Sequence, residues 1–263
     1  SGNAQARVQD TFDSDGDGVY VWGAQLEESS TVTPYVKSDV TFTSRASTAT
    51  YYDYNGVIQT AAVDEARNVA FLPDSNGNFV SAGELLLEEA RTNLVTHSEE
   101  FDDAAWTTNA VDASASAAIG IVAPDGTNTT YTVTSTAANG IIRQDVASAS
   151  ATTYTWSCFV KKKTSPEIVI SVVRVGGTAY SANLTYNFDT DTVSLISDDY
   201  GNSPYGRQLL PNGWVRLYAT VADQGSNTQA RMYLRPSSTS ASDMYVWGAQ
   251  LEESHYATSY IPT

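Results

Sequence analysis

The sequence predicts an all-β protein, a jelly-roll β-sandwich preceded by a small β-rich connector. Strand-like runs with period-two alternation recur at short, regular spacing through residues 91–263. Turn residues separate nearly every apolar run, and no segment makes a convincing helix. A ten-residue segment near the start also recurs at the end, which marks a duplicated structural unit.

Composition sets the outer limits. Hydrophobic residues make up 41% of the 263 residues and charged residues 17%, enough for an ample core under a neutral-polar surface. Thirty acidic against 14 basic side chains give a net charge of −16. Such a surface repels phosphate backbones, which argues against nucleic acid as a partner. The single cysteine, Cys158, cannot form an intramolecular disulfide, and two histidines leave little for metal or general-base chemistry. No apolar run approaches the roughly 20 residues of a membrane helix, so no membrane insertion is expected. The N-terminus shows neither a basic region before an apolar stretch nor a starting Met, which fits a fragment or a processed chain.

Residues 20–29 and 245–254 both read YVWGAQLEES, and the match extends to Thr33/Thr258 and Tyr35/Tyr260 at a constant offset of 225. The second copy reads as the closing strand of a module. Residues 1–37 then hold the closing strand of a truncated upstream module. Its apolar face (Tyr20, Trp22, Ala24, Leu26) is expected to be buried against the connector or paired with another subunit. Residues 38–90 form the connector, with Asn55-Gly56 and Asn76-Gly77 as tight hairpin turns, each placing both residues at positive φ. Residues 91–263 form the jelly-roll module, in which about nine strands are legible. They include TYTVTST, TTYTWSCFVK, EIVISVVRV, SANLTYNFD, GWVRLYATVA, ARMYLRP and DMYVWGAQLE. LLLEEARTNL (85–94) is the one plausible helix, though its neighbours favour strand.

Five segments occur in fixed order: ARTNLVTHSEEFDDAAWT (90–107), APDGT (123–127), TTYTWSCFVK (152–161), NGWVRLYATV (212–221) and YVWGAQLEESHYATSYIPT (245–263). With the connector SRASTATYYDYNGVIQTAAVDEAR (44–67), they resemble the repeated jelly-roll modules of phage structural proteins, especially tail fibres and other host-contacting proteins. The resemblance covers nearly the whole chain, and the connector departs from it after Arg67. Such modules are similar in turn to carbohydrate-binding modules. The resemblance implies a non-catalytic virion protein whose partners are glycans and other virion subunits, assembled as a homotrimer. Its alternative is an architectural fibre spacer or capsid decoration protein that binds no sugar.

No Ser-His-Asp spacing, nucleophile elbow or metal-binding His pair appears, so no enzyme is expected. His97 and His255 read as structural or exposed. Glu252 and Glu253, like Glu27 and Glu28, are strand neighbours that point to opposite faces, poor geometry for acid–base work on one bond. Asp13, Asp15 and Asp17 with Gly18 have the spacing of the front half of a calcium loop, without its closing Glu. Two readings stay open there, a bound Ca2+ and a solvated acidic turn.

Strand alternation assigns Tyr154, Trp156, Cys158 and Val160 to the core, with Val215, Leu217, Ala219 and Val221 facing them. Leu184, Tyr186, Met232, Leu234, Tyr245, Trp247, Ala249 and Leu251 join the same core. Phe159, Lys161, Asn183, Asn187, Arg216, Tyr218, Tyr233 and Gln250 are left outside, on what would be one sheet face. Rings stack on the apolar faces of pyranoses and planar polar groups bind hydroxyls, so these eight are the candidate carbohydrate-binding residues. The plainer alternative is an ordinary polar outer face or a subunit interface.

Overall fold

The computed structural model describes residues 45–263 except 46, 68–69, 83–85, 87, 109–111, 200, 202 and 223–224. The first repeat copy and the candidate calcium residues Asp13, Asp15 and Asp17 lie outside the described residues. Residues 43–263 form one compact unit.

All regular structure in it is β apart from one 3-10 turn, among the described residues. The connector contributes β1 (Ala49–Tyr52), β2 (Ile58–Ala61), β3 (Phe71–Pro73) and β4 (Phe79–Ser81), a four-stranded sheet ordered β2-β1-β3-β4. The sandwich follows with β5 (Thr107–Thr108), β6 (Ala113–Ala117), β7 (Tyr131–Ser135), β8 (Ile142–Ala147), β9 (Tyr154–Lys162) and β10 (Glu167–Val175). It continues through β11 (Tyr180–Asn187), β12 (Thr192–Asp198), β13 (Tyr205–Leu209), β14 (Trp214–Val221), β15 (Gln229–Arg235) and β16 (Ser242–Glu252). Two antiparallel sheets result, ordered β12-β11-β10-β15-β8-β5 and β13-β14-β9-β16-β7-β6.

The pairings are nested: β7 with β16, β8 with β15, β9 with β14, and β10 with β11. One long antiparallel hairpin, rolled up so that successive pairs fall on alternate sheets, gives this pattern, which is the jelly roll. Strands β12 and β13 extend it, one on each sheet. The repeat segment 245–254 falls largely in β16, held between β7 and β9.

Inward-facing residues follow the alternation. Trp156, Cys158, Leu217, Ala219, Ile168, Ile170, Leu184, Met232 and Leu234 are all fully buried in one core between the sheets. Each fully buried large apolar side chain there is worth about 1.5–3 kcal/mol over its exposed state. The closing strand departs from simple alternation. Gly248 takes φ +62 and the register with β9 shifts between Trp247 and Gln250. This bulge puts Met244, Val246, Ala249 and Leu251 inside, and turns Tyr245 and Trp247 to the outer side. Trp247 is therefore buried, but in a second cluster rather than in the sandwich core.

The two Asn-Gly hairpins form, with different turn geometry from that expected. Only Gly56 and Gly77 have positive φ, +75 and +82. In each, the glycine N–H donates to an Asp carbonyl three residues back, Asp53 at 2.9 Å and Asp74 at 3.1 Å. The same Asp accepts two backbone N–H bonds through its carboxylate, Asn55 and Val57 on Asp53, and Asn76 and Asn78 on Asp74. Asp-x-Asn-Gly thus builds a type I turn closed by a left-handed glycine, and the Asp side chain does work a two-residue turn would not need. Over 85–94 the described residues, 86 and 88–94, carry neither helix nor strand, and Asn93 bonds the closing strand through its side chain.

Candidate functional site

The eight candidate residues do not share a face. Phe159, Lys161, Arg216, Tyr218 and Gln250 belong to the sheet containing β9, β14 and β16, while Asn183, Asn187 and Tyr233 belong to the other sheet. The two outer faces then differ in a way that sequence alternation does not reveal: one is covered by the chain itself.

On the covered face, Phe159, Arg216 and Gln250 are buried, and the segment after β16 folds back over them. Gln250 accepts the Ile261 N–H at 2.7 Å and donates to Glu252 at 2.7 Å. Glu252 in turn accepts the Thr258 N–H and hydroxyl at 2.9 and 2.7 Å, while Arg216 donates to the Thr258 carbonyl at 2.6 Å. Thr258 thus bridges a buried carboxylate and a buried guanidinium through the neutral peptide between them. Arg216 also donates to Ser157 and lies 5.2 Å from the centre of the Phe159 ring. Tyr260 meets Trp247 in a tilted ring contact at 4.6 Å and Phe159 edge-to-face at 5.8 Å. Its hydroxyl meets Ser98 at 2.8 Å and Glu99 at 3.0 Å. From the connector, Tyr52, Ile58 and Phe79 join the same cluster.

A sugar could reach Phe159, Arg216 or Gln250 only by displacing this segment. Their placement is structural, and it corrects the expectation of an open face. The WGAQLE and TSYIPT residues are the parts of a latch: Trp247, Gln250, Glu252, Thr258 and Tyr260 all take part in it. Lys161 and Tyr218 remain partly exposed on this sheet, two residues along their strands from buried Phe159 and Arg216. Buried Tyr260 has its hydroxyl pKa pushed well up by burial and by the neighbouring Glu99, and burial raises Glu99 as well.

Among the described residues, no segment folds back over the outer face of the opposite sheet, β12-β11-β10-β15-β8-β5. One register row crosses it: Thr107, Arg143, Tyr233, Ser171, Asn183 and Ser197. Arg231 and Arg235 flank Tyr233 two residues away on β15, on the same side of the strand. Asp145 accepts from Arg231 through both oxygens, at 2.8 and 2.7 Å, and this pairing strengthens the hold of Arg231 on its proton. Arg143 approaches the same carboxylate at 3.7 Å. Tyr233 and Asn183 are half-buried, and between them the Ser171 hydroxyl is buried with no hydrogen-bond partner among the described residues. Asn187 does not belong to this row. Its side-chain oxygen accepts the N–H groups of Asp189 and Thr190, closing the β11–β12 turn.

Two of the eight candidates, Asn183 and Tyr233, therefore stand together in a usable surface. Arg143, Arg231 and Arg235 complete it. Their signal was alternation on IIRQDVA and ARMYLRP, but only strand pairing shows that β8 and β15 are neighbours.

Other polar clusters have local explanations. His97 at φ +54 pairs with Glu100 at 2.6 Å and approaches Asp103 at 3.6 Å, while its carbonyl accepts the Trp106 ring N–H. His255 is exposed. A cleft of about 270 Å³ lies between the connector and the C-terminal segment, where Arg67 is spent on Glu88, the Thr50 carbonyl and Ser259.

No protein-family description matches the sequence, and no curated protein matches it. Solved structures do show similarity. The enzymatically active domain of tailspike protein 4 from bacteriophage CBA120 is 10% identical, with a TM-score of 0.39 over 60% of this chain and 21% of that one. The xylan-degrading endo-1,4-β-D-xylanase 10B of Clostridium thermocellum, in its CBM22-1–GH10 portion with xylohexaose, is 14% identical, with a TM-score of 0.37 over 65% of this chain and 30% of that one. TmCBM61, solved with β-1,4-galactotriose, is 12% identical, with a TM-score of 0.31 over 62% of this chain and 99% of that one. The chain thus spans about a fifth of the tailspike chain.

Proposed function

We propose that this chain is a non-catalytic glycan-binding module of a phage virion, and that it binds sugar on the open face centred on Tyr233. One observation carries the reading. The C-terminal segment seals one sheet face, while among the described residues no segment covers the other, where an aromatic ring stands in a row of planar donors and acceptors. Tyr233 offers a surface for the apolar face of a pyranose, while Arg143 and Asn183, both part-exposed, offer hydrogen bonds to its ring substituents. A virion address, neighbouring virion subunits and a homotrimer rest on the resemblance to phage fibre modules.

Glycan-array screening followed by calorimetry tests the reading. Tyr233→Ala is expected to weaken binding about tenfold or more, as loss of roughly 1.4 kcal/mol of stacking would. Tyr218→Ala, on the covered sheet, is expected to leave affinity unchanged. Binding lost with Tyr218→Ala but retained with Tyr233→Ala would move the site to the wrong sheet for this proposal. A chain that binds no glycan, and whose modules only assemble, would instead be the architectural spacer. Incubation with the bound polysaccharide should release no reducing ends, and light scattering should give three chains per particle.

A further inference from the structure

Arg235 is a cation without a counter-ion. It is half-buried, its Nε has no hydrogen-bond partner, and among the described residues it makes no ion pair. This is unexpected in a chain carrying 30 acidic side chains against 14 basic ones. A partly desolvated guanidinium is costly unless something anionic completes it. Its surroundings do not. Across the row it faces Val169, and the next outward residue along its own strand is Tyr233. The acids on the face and its rim are spent elsewhere: Asp145 on Arg231, Glu167 on Ser238, and Asp199 on Ser181. Among the described residues, three arginines (143, 231, 235) therefore share this surface with one carboxylate in ion-pair contact, Asp145, which already has two of them as neighbours.

We propose that the open face selects acidic glycans, in which a carboxylate or sulfate on a pyranose is held by Arg235 while the ring stacks on Tyr233. This rests on the glycan-binding reading above and adds the ligand's charge. The spacing suits it. Outward residues two apart on a strand are about 6.8 Å apart, so a ring on Tyr233 puts its own substituent, or that of the next sugar, within reach of Arg235. The planar fork of a guanidinium matches two oxygens of a carboxylate or sulfate, and Arg235 has its donors uncommitted where Arg231 does not. A neutral sugar would cover Arg235 without supplying an acceptor of that strength.

Paired probes decide this: oligogalacturonate against its methyl ester, and sulfated carrageenan oligosaccharides against the desulfated chain. Calorimetry on the intact chain is expected to give at least a tenfold preference for one acidic member over its neutral partner, falling as salt rises from about 50 to 500 mM. Arg235→Gln should erase that preference while leaving the weaker neutral binding in place. Arg235→Lys, which keeps the charge without the fork, should retain part of it, and it serves as the readout if the Gln variant melts early. Which pair responds separates carboxylate from sulfate. Equal affinity for charged and neutral members, with both lost in Tyr233→Ala, would overturn the charge selection and leave the glycan-binding reading intact. No binding to any of the four probes, or to other glycans, would overturn both.

Discussion

Replacing Tyr260 tests the latch directly. Tyr260→Ala removes a 3%-exposed ring, two aromatic contacts at 4.6 and 5.8 Å, and a hydroxyl shared by Ser98 and Glu99. Large-to-small changes at buried aromatics cost about 3–5 kcal/mol, because the cavity adds to the lost transfer energy. At about 2–4 °C per kcal/mol for a domain of this size, melting should fall by roughly 6–20 °C. Tyr260→Phe keeps the ring and removes the hydroxyl, for about 1–3 kcal/mol. That cost has a pH signature. Glu99 is already raised by burial, so it binds protons more tightly folded than unfolded, and stability falls as pH rises through the window that starts at the unfolded value. Losing the Tyr260 hydroxyl, which favours the Glu99 anion, widens that window, so Tyr260→Phe should hurt more at pH 7 than at pH 4. Thermal melts followed by tryptophan emission at both pH values give the answer. A loss under about 1 kcal/mol for Tyr260→Ala, with unchanged emission, would mean the tail does not seal the sheet, and the argument for two unlike faces would fail.

Two further outcomes follow from local geometry. Gly248→Ala adds a Cβ 2.8 Å from the Phe159 ring at a backbone φ of +62, so it should cost about 1–3 kcal/mol or more in chemical denaturation. An unchanged midpoint would remove the bulge from the explanation of Trp247. His97 should titrate above its ordinary value by NMR, because the hydrogen bond its ring donates to Glu100 favours its cation. Its contribution to stability is complete below the unfolded pKa and disappears as pH rises through the folded one, and Glu100→Gln should return the titration toward normal.

How far the sequence reads can be judged from particular residues. The strands named from alternation are present because each has an apolar face that must find the core. Three others escaped for physical reasons. Ala113–Ala117 reads ASASA, with too little apolar contrast to show a period, and Tyr205–Leu209 and Thr107–Thr108 are short edge strands. Alternation failed at Gly248, where a bulge reverses the faces, and so Trp247 was placed in the wrong cluster. The candidate site suffered from a different blindness. Period two separates inside from outside on one strand, but it cannot say which strands share a sheet or whether an outside face is later covered. Phe159, Arg216 and Gln250 look like ligand contacts for the same reason they make a good latch: aromatic rings and planar polar groups bind a returning peptide as readily as a sugar.

The central position of β16 also sets an order of events. Residues 242–252 fill the gap between β7 and β9, segments that leave the ribosome about a hundred residues earlier. Until the closing strand arrives, β9 lacks one neighbour and β7 can pair only with β6, so two long edges stand bare. Contacts this distant in sequence close slowly. A nascent chain is therefore exposed to edge-to-edge association until β16 has been made, and residues Gln250 through Tyr260 both complete the sheet and lock it.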